Sequence, residues 1–583
     1  MITSRVHVNQ VGYLTGGPKQ ATLICAEDGP QPWQLRDSTG QVVAEGQTRP
    51  RGLDVTAGAS VHTLDFSHVR HPAARLRLVV DGATSPPFAV GEGLYGPLLH
   101  DALTVLTLQR SGMAIGPEVA GPQYARAAGH LDLRPNLGDG AVRPLPRGAA
   151  FTNHGADLYA GWSGEYVVDG RGGWYDAGDQ GKYVVNGGIA VAQLLGIVER
   201  ALRTGADVGP GTPAALALDE ARWELDWMVR MQVAPGLRLA GMVHHKLHDE
   251  HWTALPTPPA HDPQPRFVHR PSTAATLNLA AVAAQAARVL SGAEPAAAAG
   301  LLDVARTAYR AALANPVLLA PDTNVLGDVG GGPYNDTDVD DEFYWAAAEL
   351  YLTTHEAAFL DDLRDNPYHL GGSKPAFVPH GFDWRDVAAW ARMQLATVDS
   401  PLPERDEVRV SLVGAAEHLL SHDEAFGQLY SPPDARYAWG SNGMVATCAS
   451  IVAAAFDVTG DVRHRDGALA GIDYLLGRNA LGLSYVTGHG SAYAHHQHSR
   501  WYAKALDPTL PDPPPGALAG GPNSDLPDPV SAALAGRPAQ RCYVDDIRAF
   551  GVNEMAVNWN AALAWIAAFA ASLGDGLTSP AQR

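Results

Sequence analysis

The chain has 583 residues, of which 46% are hydrophobic and 18% charged, and this composition is typical of a folded globular protein. Its 62 acidic residues outnumber its 42 Lys and Arg residues, so the formal net charge is −20. Without a Lys/Arg cluster, this balance excludes the basic surface that nucleic acids and anionic membranes require of a partner.

Three cysteines, Cys25, Cys448 and Cys542, are too few for a disulfide framework or a cysteine-rich zinc site. The longest nearly apolar run, 561–573, is shorter than the roughly 20 residues of a transmembrane helix, so we expect no membrane partner. The N-terminal residues contain no apolar signal segment, which favours a cytoplasmic location over secretion.

Short β-branched runs separated by turn residues extend from Val6 to about Val90. Their spacing predicts a small antiparallel β-sandwich with a hairpin turn at 37–40. The predicted strands span residues 21–26, 33–36, 41–44, 61–66 and 74–80. Nothing in this region has a catalytic pattern, so we expect the functional site later in the chain.

From Tyr95 onward the hydrophobic period is helical, and roughly eleven Ala-rich segments follow without strands between them. This pattern favours an all-α barrel or a solenoid. The predicted helices lie near 95–110, 187–203, 217–232, 272–290, 297–314, 341–354, 384–397, 407–421, 441–458, 462–476 and 554–573. Long spacers rich in Gly, Pro, Trp, His and Asp separate several of them, and such loops usually carry function.

The first candidate segment, 172–183, directly precedes a predicted helix and holds Asp176 and Asp179 between glycines. Two carboxylates three residues apart could share one water molecule, one acting as a general base and the other holding the water. A turn whose aspartates cap the next helix is the alternative. Trp174 and Tyr175 beside the pair favour a sugar site, because sugar rings stack on aromatic faces.

A second segment, 541–560, places Glu554 at the start of an apolar helix. A partly desolvated carboxyl group there would have a raised pKa, as a general acid working near neutral pH requires. The alternative is a first-turn Glu that only complements the helix dipole. The catalytic interpretation of Glu554 becomes specific only if this residue works together with a carboxylate that is distant in the sequence.

A third segment, 493–501, contains His495, His496, His498 and Arg500. These side chains can donate hydrogen bonds to sugar hydroxyls while neighbouring aromatic rings stack on the sugar. The histidine spacing matches no standard zinc pattern, and a solvated polar loop is a further alternative.

A fourth segment, 334–342, places five carboxylates before a helix. Hard oxygen ligands at this density suit calcium, although the segment lacks the central Gly and the later Glu of an EF-hand loop. A strongly capped helix start is the alternative.

Taken in this order, the four segments resemble glycoside hydrolase family 9, in the bacterial subgroup with an N-terminal immunoglobulin-like domain. The resemblance covers nearly the whole chain and includes further matching blocks at 8–13, 473–479 and 484–488. It implies a mainly α protein with an (α/α)6 barrel at 93–583, preceded by an immunoglobulin-like β-sandwich at 1–92.

The resemblance also implies a reaction, the cleavage of β-1,4-linked glucans with inversion at the anomeric carbon. In that scheme Asp179 is the general base, Asp176 helps to hold the water, and Glu554 is the general acid. The residues implied in sugar binding are His498, Arg500, His496, Trp174, Trp439, His245 and Tyr543.

Calcium is the one metal that the resemblance supports in this sequence. It implies a structural calcium at Asp341 and Glu342, with Asp338 and Asp386 as weaker candidate ligands. We expect no organic cofactor.

A structural zinc of the subgroup is expected to be lost. Its ligands are two Cys and two His, but the corresponding positions here are Ser111, Gly129, His130 and Lys182. One ligand of four cannot hold zinc tetrahedrally.

The leading functional hypothesis is a monomeric endo-β-1,4-glucanase acting on soluble or amorphous glucan, because no cellulose-binding module flanks the barrel in this sequence. An exo-acting β-glucosidase, cellobiohydrolase or exo-β-glucosaminidase on short oligosaccharides is the nearest alternative. Sugar epimerases and polysaccharide lyases share the barrel but use His or Tyr bases. A sugar-binding protein without catalysis would not need all three acids. Departures from the family's His-x-Arg signature at Ala492 and Gln497 leave the subsite specificity open.

Overall fold

The computed structural model describes residues 4–132, 136–145, 159, 162, 164–323 and 329–574. Its N-terminal part consists of ten strands. They are β1 (Val6–His7), β2 (Gly12–Tyr13), β3 (Gln20–Ile24), β4 (Pro32–Arg36), β5 (Val42–Gln47), β6 (Arg49–Asp54), β7 (Ala59–Asp65), β8 (Ala73–Val80), β9 (Ala83–Thr84) and β10 (Phe88–Val90).

These strands form two sheets, with the orders β1-β3-β7-β6 and β2-β10-β8-β4-β5, and β9 pairs with β8. The pairs are antiparallel apart from β2 with β10. In β4 the alternation of the sequence places Trp33 and Leu35 inward, where they share an apolar core with Phe66 and Phe88. The predicted sandwich is therefore confirmed, and each predicted strand overlaps an observed one.

The strand β6 is absent from the sequence prediction. Its residues, Arg-Pro-Arg-Gly-Leu-Asp, include Pro, Gly and three charges, which are rare in central strands. The strand lies at the edge of its sheet and pairs with β7 through an irregular register, so its position tolerates this composition.

Fourteen α-helices are found in the described residues of the remaining chain. They are α1 (Gly96–Gln109), α2 (Pro117–Ala120), α3 (Val184–Thr204), α4 (Pro213–Arg230), α5 (Thr273–Leu290), α6 (Pro295–Ala314), α7 (Asp340–Thr354), α8 (Ala357–Asp365), α9 (Ala388–Thr397), α10 (Arg405–Ser421), α11 (Ser441–Thr459), α12 (Val462–Leu475), α13 (Phe550–Asn553) and α14 (Val557–Ser572).

Six of these helices form a closed inner ring, in which α3, α5, α7, α9, α11 and α14 each contact the next and α14 closes against α3. Each inner helix packs against one outer helix, and these are α4, α6, α8, α10, α12 and α1 in the same order. The inner helices are nearly all buried, and the Ala-rich sequence of α5 allows close approach. The ring is an (α/α)6 barrel, so the predicted fold class is confirmed.

Eleven of the twelve barrel helices overlap the predicted segments, and α8 is the one that was missed. It has nine residues and buries only Leu363, so it is shorter than the stretch of about 11–18 residues over which an apolar period is recognised.

By length and composition, α3 and α11 could each cross a membrane. However, 89% of the apolar window in each is buried inside the structure, as expected for the inner helices of a barrel. Their hydrophobicity is explained by the ring packing.

Short strands also occur in the loops before α3 and α5. They are β11 (Arg143–Pro144), β12 (Lys182–Tyr183), β13 (Val243–His244), β14 (Lys246–Asp249), β15 (Arg266–Val268) and β16 (Pro271–Ser272). The order β11-β15-β14-β12 forms one small sheet, and β13 pairs with β16. This small sheet lies directly beside the first candidate segment, because β12 is its C-terminal end.

The sandwich is joined to the barrel by specific polar contacts. Gln10 Oε1 accepts hydrogen bonds from the amides of Ser491 and Ala492 at 3.0 and 2.9 Å. Asn9 Nδ2 donates to Asp473 Oδ1 at 2.8 Å. The interface thus involves the sequence block at 8–13 and the barrel loop that leads to the histidine segment.

Candidate active site

A tight loop, 172–183, precedes α3 and carries Asp176 and Asp179. The amide of Asp176 donates to the carbonyl oxygen of Gly181 at 2.9 Å, which closes the loop on itself. The carbonyl oxygen of Asp176 accepts from the amide of Val557, the first residue of α14, at 2.9 Å. The loop is therefore fixed at the seam where the barrel closes.

Asp176 is buried, and both of its carboxylate oxygens accept hydrogen bonds. Oδ1 accepts from Asn186 Nδ2 at 2.6 Å, and Oδ2 accepts from the Tyr334 hydroxyl at 2.6 Å. Burial and the nearby charge of Asp179 raise the pKa of Asp176 to about 7. This carboxyl group is held in one orientation, which suits the positioning of a water molecule.

Asp179 has one oxygen bonded to the protein and one without a donor. Oδ2 accepts from the Gly181 amide and from the Tyr183 hydroxyl, each at 3.0 Å. No hydrogen bond from the described residues reaches Oδ1. The side chain is thus oriented through one oxygen while the other can accept a proton.

Glu554 meets this loop from the far end of the sequence. Its Oε1 accepts a hydrogen bond from the amide of Gly178 at 3.3 Å, across 376 residues of chain. Burial, and then the charge of Asp179, raise the pKa of Glu554 well above its usual range, although Arg500 acts in the opposite sense. This shift favours the protonated form of Glu554, which is the form that can donate a proton.

The side chains of His498 and Arg500 lie against the same loop. His498 Nδ1 is 2.7 Å from the Ile547 carbonyl oxygen, which fixes the ring, and Nε2 has no partner among the described residues. The amide and Nη1 of Arg500 both donate to the carbonyl oxygen of Gly178 at 3.0 Å. A Cβ at Gly178 would lie 2.4 Å from the His498 carbonyl oxygen, so this close approach requires glycine.

His496 is half-buried and is held through its backbone. Its amide donates to Asp545 at 2.9 Å, and its carbonyl oxygen accepts from Asn553 Nδ2 at 2.6 Å. The Tyr543 hydroxyl donates to Asn553 Oδ1 at 2.6 Å. Tyr543 thus acts on the site by holding its neighbours. The sequence analysis did not assign Asp545 and Asn553 a role, although both lie in the segment that carries Glu554.

Two of the predicted sugar-contact residues are bonded to the protein itself in the structure. Trp174 is 1% exposed, and its indole N–H donates to Glu220 at 3.2 Å. His245 is buried, with Nδ1 2.8 Å from Ser272 Oγ and Nε2 2.9 Å from the Tyr334 carbonyl oxygen. Both rings support the loops, because burial leaves them no face for a sugar.

Aromatic surfaces are instead exposed at two other tryptophans. Trp439 is 41% exposed and packs against Phe550, which in turn contacts His498 with ring centroids 5.9 Å apart. Trp252 is 42% exposed and lies 5.5 Å from the Arg500 guanidinium. Trp439 was predicted as a cleft residue, whereas Trp252 was missed because it lies in a long loop without a recognisable pattern.

The sequence analysis also missed two tyrosines that orient the aspartates, Tyr183 and Tyr334. Lys246 Nζ donates to the Gly332 carbonyl oxygen at 2.6 Å, and the Gly332 amide donates to the Tyr183 hydroxyl at 2.9 Å. The same short segment carries Tyr334, whose hydroxyl bonds Asp176. Tyr334 stood in the candidate calcium segment, so its sequence neighbours pointed to a different role.

The candidate calcium residues Asp341 and Glu342 are buried, and Asp336 lies with them. Four of their carboxylate oxygens, Asp341 Oδ1, Asp336 Oδ2 and both Oε atoms of Glu342, have no hydrogen-bond donor among the described residues. Burial and mutual repulsion raise the pKa of all three groups. Such an arrangement fits a bound divalent cation, which would supply the missing positive charge.

The two weaker calcium candidates differ from this cluster. Asp338 was wrong, because both of its oxygens accept hydrogen bonds from Lys374 Nζ at 2.7 and 2.6 Å. Asp386 lies close enough to interact with Asp336 but is itself 3.0 Å from His380 Nε2. Asp336 takes the place expected for Asp338, since the chain turns between them, where the Asp338 amide donates to Asp336 Oδ1 at 2.9 Å.

The positions expected for zinc do not fit that metal. Lys182 carries an ammonium group and cannot be a ligand. His130 Nδ1 is 2.7 Å from the Tyr175 hydroxyl. A Cβ at Gly129 would lie 2.6 Å from the same hydroxyl, so no ligating side chain fits there without displacement.

A different group of potential ligands does occur nearby, at His130, Asp249 and Asp262, with ligand atoms within 4.8 Å of one another. Each already has an internal partner. His130 Nε2 is 2.9 Å from Asp262 Oδ2, and Asp249 Oδ1 accepts from Arg266. A cation there would have to displace these contacts.

Comparison with family models agrees with this site. Residues 95–567 match the model for glycosyl hydrolase family 9, and residues 2–85 match the model for the cellulase N-terminal Ig-like domain. The two matches account for the barrel and for the sandwich.

Proteins with similar sequences include an endoglucanase and a cellobiosidase. The chain is 51% identical to Endoglucanase C of Cellulomonas fimi over 593 residues, an alignment that covers 99% of this chain and 52% of that protein. It is 40% identical to a cellulose 1,4-beta-cellobiosidase of Acetivibrio thermocellus over 618 residues, covering 99% of this chain and 68% of the relative. The chain thus spans about half the length of the first relative.

A solved structure shares the whole architecture. It is a zinc-binding triple mutant of the family 9 endoglucanase J30, with a TM-score of 0.79 and 28% identity. The match covers 96% of this chain and 99% of that one.

Proposed function

Since the chain belongs to glycosyl hydrolase family 9, we propose that it hydrolyses β-1,4-glucosidic bonds with inversion, as an endoglucanase. The observation that carries this proposal is the meeting of Glu554 with the 172–183 loop. A carboxyl group whose pKa is raised by burial lies there beside Asp179, whose Oδ1 has no hydrogen-bond donor among the described residues. These are the acid and the base that inverting hydrolysis needs.

In the proposed reaction, Asp179 removes a proton from water as the water oxygen bonds to the anomeric carbon. The bond from that carbon to the glycosidic oxygen breaks on the opposite face, and Glu554 gives its proton to the departing oxygen. Asp176 holds the attacking water. A β-linkage then yields an α-anomer. Inverting hydrolysis requires about 6.5–9.5 Å between the acid and the base, so that the water fits between them.

The neighbouring residues support a sugar substrate. His498 Nε2 is free to bond a hydroxyl, and Arg500 lies between the catalytic loop and Trp252. Both tryptophans offer exposed rings to a sugar. Trp252 lies beside Arg500, and Trp439 packs against Phe550, which contacts His498. Every group in this scheme belongs to one chain, so we propose a monomeric enzyme.

An exo-acting cellobiohydrolase is the second candidate, because one similar protein is a cellobiosidase. A glucosaminidase has less support. It would need free carboxylates for an amino sugar, and two of the three in the 233–271 loop, Asp249 and Asp262, are buried and paired, which leaves the half-buried Glu250.

A time course of cleavage of cellohexaose tests the proposal, with anomeric configuration followed by NMR. Mixed shorter products formed as α-anomers are expected. Stepwise release of cellobiose from one end would instead indicate the exo-acting candidate. Formation of β-anomers, or no cleavage of cellohexaose or soluble glucan, would contradict an inverting β-glucanase.

We also propose that calcium binds at Asp336, Asp341 and Glu342, where it would stabilise the start of α7. Chelation with EDTA is expected to lower the Tm by about 2 °C, because a ligand bound at 100 times its Kd contributes about 2.7 kcal/mol and the unfolding entropy of 583 residues is about 1.2 kcal/mol/K. The effect should weaken as the pH falls, since protons compete for carboxylates with raised pKa values.

Two variants sharpen this measurement by differential scanning fluorimetry. Asp341→Asn should lower the Tm and remove the response to EDTA. Asp338→Asn is the matched control, because Asp338 faces Lys374, and it should keep the response. An unchanged melting curve of the parent protein with EDTA would exclude the calcium proposal.

A further inference from the structure

Buried ion pairs lie beneath the catalytic loop, in the place expected for zinc. Lys182 Nζ is 2.6 Å from Asp139 Oδ2, and Arg266 Nε is 2.9 Å from Asp139 Oδ1. The same guanidinium donates through Nη1 to Asp249. All four side chains are at most 2% exposed. We call this set, Asp139, Lys182, Arg266 and Asp249, the ion-pair chain.

The small sheet of the barrel loops holds the ion-pair chain in register. Lys182 belongs to β12, Asp249 to β14 and Arg266 to β15, and Asp249 stands directly opposite Arg266. Asp139 reaches both cations from the segment before β11. Three adjacent strands are therefore linked through side chains as well as through their backbones.

The two cations also hold both ends of the catalytic loop. Lys182 Nζ donates to the carbonyl oxygens of Gly170 and Gly172, the latter at 2.9 Å. Arg266 Nη1 donates to the carbonyl oxygen of Gln180, beside Asp179, at 2.9 Å. The ion-pair chain thus contacts the loop where it begins and next to the proposed base.

We propose that the ion-pair chain positions the loop of Asp176 and Asp179 for catalysis, in the role that a structural zinc would otherwise have. The effect of the ion-pair chain on catalysis rests on the proposed function, whereas its effect on the order of the loop does not. Lys182 and Arg266 are positioning residues, since they act through the loop and do not touch the substrate.

The charges within the ion-pair chain support an arrangement that is held by ion pairs without a metal. Within the ion-pair chain two cations face two carboxylates, and the neighbouring carboxylate of Asp262 is paired with His130 at 2.9 Å. Burial alone would raise the pKa of Asp139, but Arg266 and Lys182 together hold it below its usual range, so Asp139 is ionised. Removing one member leaves the opposite charge buried and unpaired, which is worse than removing both.

The test compares Lys182→Met, Asp139→Asn and the double variant at a temperature well below each Tm. Lys182→Met is expected to lose about 10–100-fold in kcat with KM within about threefold, because a small displacement of a catalytic group has that effect. The double variant should recover part of the loss. Hydrogen exchange measured by mass spectrometry should rise in 172–183 for Lys182→Met.

Arg288→Met is the matched control. Arg288 pairs with Glu199 and Glu349, each at 2.7 Å, and Glu199 lies 15 residues beyond the start of α3. This variant should lower the Tm but leave kcat and the exchange of 172–183 unchanged. Metal analysis of the purified parent protein should find no stoichiometric zinc, and a zinc chelator should not alter kcat.

Two results would overturn the inference. One is a Lys182→Met protein that loses Tm as Arg288→Met does while its kcat and loop exchange stay parental. The other is stoichiometric zinc whose removal loosens the loop. If Lys182→Met does not fold, a double variant with parental loop exchange and kcat would also contradict it. If the parent cleaves no glucan, the exchange and metal measurements still decide the structural part.

Discussion

Glu554→Gln is expected to lower kcat on cello-oligosaccharides by about 10²–10⁴-fold, the usual contribution of a general acid. The amide keeps the size of the side chain and can still meet the Gly178 amide through its oxygen, but it has no proton to give to the departing sugar. Steady-state kinetics on cellohexaose measure the loss. KM should change little, because the substitution removes a transition-state interaction.

The leaving group provides the internal control for Glu554→Gln. In a dinitrophenyl cellobioside the leaving group is dinitrophenolate, which departs without protonation. The variant should therefore cleave this substrate at close to the parental rate. The matched control is Glu417→Gln, which alters an exposed pair with Arg463. This variant should keep the parental kcat on both substrates. Equal losses on both substrates would argue that Glu554 is not the acid.

The pH profile should carry the same signature. The raised pKa of Glu554 means that the acid is protonated below that pKa and loses its proton above it. Activity on cellohexaose should therefore decline on the alkaline side, and this limb should be absent from the dinitrophenyl substrate. Measurement of kcat/KM across pH for both substrates checks the assignment.

Asp179→Asn is expected to cause a loss of similar size, about 10²–10⁴-fold in kcat. The amide can still accept hydrogen bonds from Tyr183 and Gly181, so the loop should keep its shape while the base is lost. In contrast to the acid variant, an activated leaving group should not restore the rate, because the attacking water still needs a base.

Azide distinguishes loss of the base from loss of the fold. As an anionic nucleophile it needs no deprotonation, and it should restore cleavage of the dinitrophenyl substrate by Asp179→Asn and yield the α-glycosyl azide. Asp406→Asn, at a side chain that is 95% exposed, is the control. Parental activity of Asp179→Asn without azide would refute the role of Asp179.

The sequence indicates candidate acids but not the residues that orient them. Asp176, Asp179 and Glu554 stand in short segments whose composition indicates their chemistry. The hydrogen bond from Tyr334 to Asp176 joins residues 158 apart, and no local pattern reveals such a contact. Orientation depends on the closed barrel, which brings the loops together.

Burial was the other quantity that local sequence could not provide. An aromatic residue beside two aspartates suits a sugar platform, yet Trp174 is buried and Trp252 is exposed. Similarly, a turn closed by the hydrogen bond from the Asp338 amide to Asp336 Oδ1 leaves Asp338 bonded to Lys374 and Asp336 near Asp341. The helices were easier to predict, because a helix of about ten or more residues shows its apolar period within a single stretch of sequence.

The closure of α14 against α3 has a consequence for biosynthesis. The loop before α3 leaves the ribosome with its aspartates, but Glu554 follows 376 residues after Gly178, a delay of about 20–75 s at typical elongation rates. During that interval the apolar flank of α3 lacks its neighbour in the ring. The nascent barrel is thus both inactive and exposed to chaperones until synthesis has nearly reached the last helix.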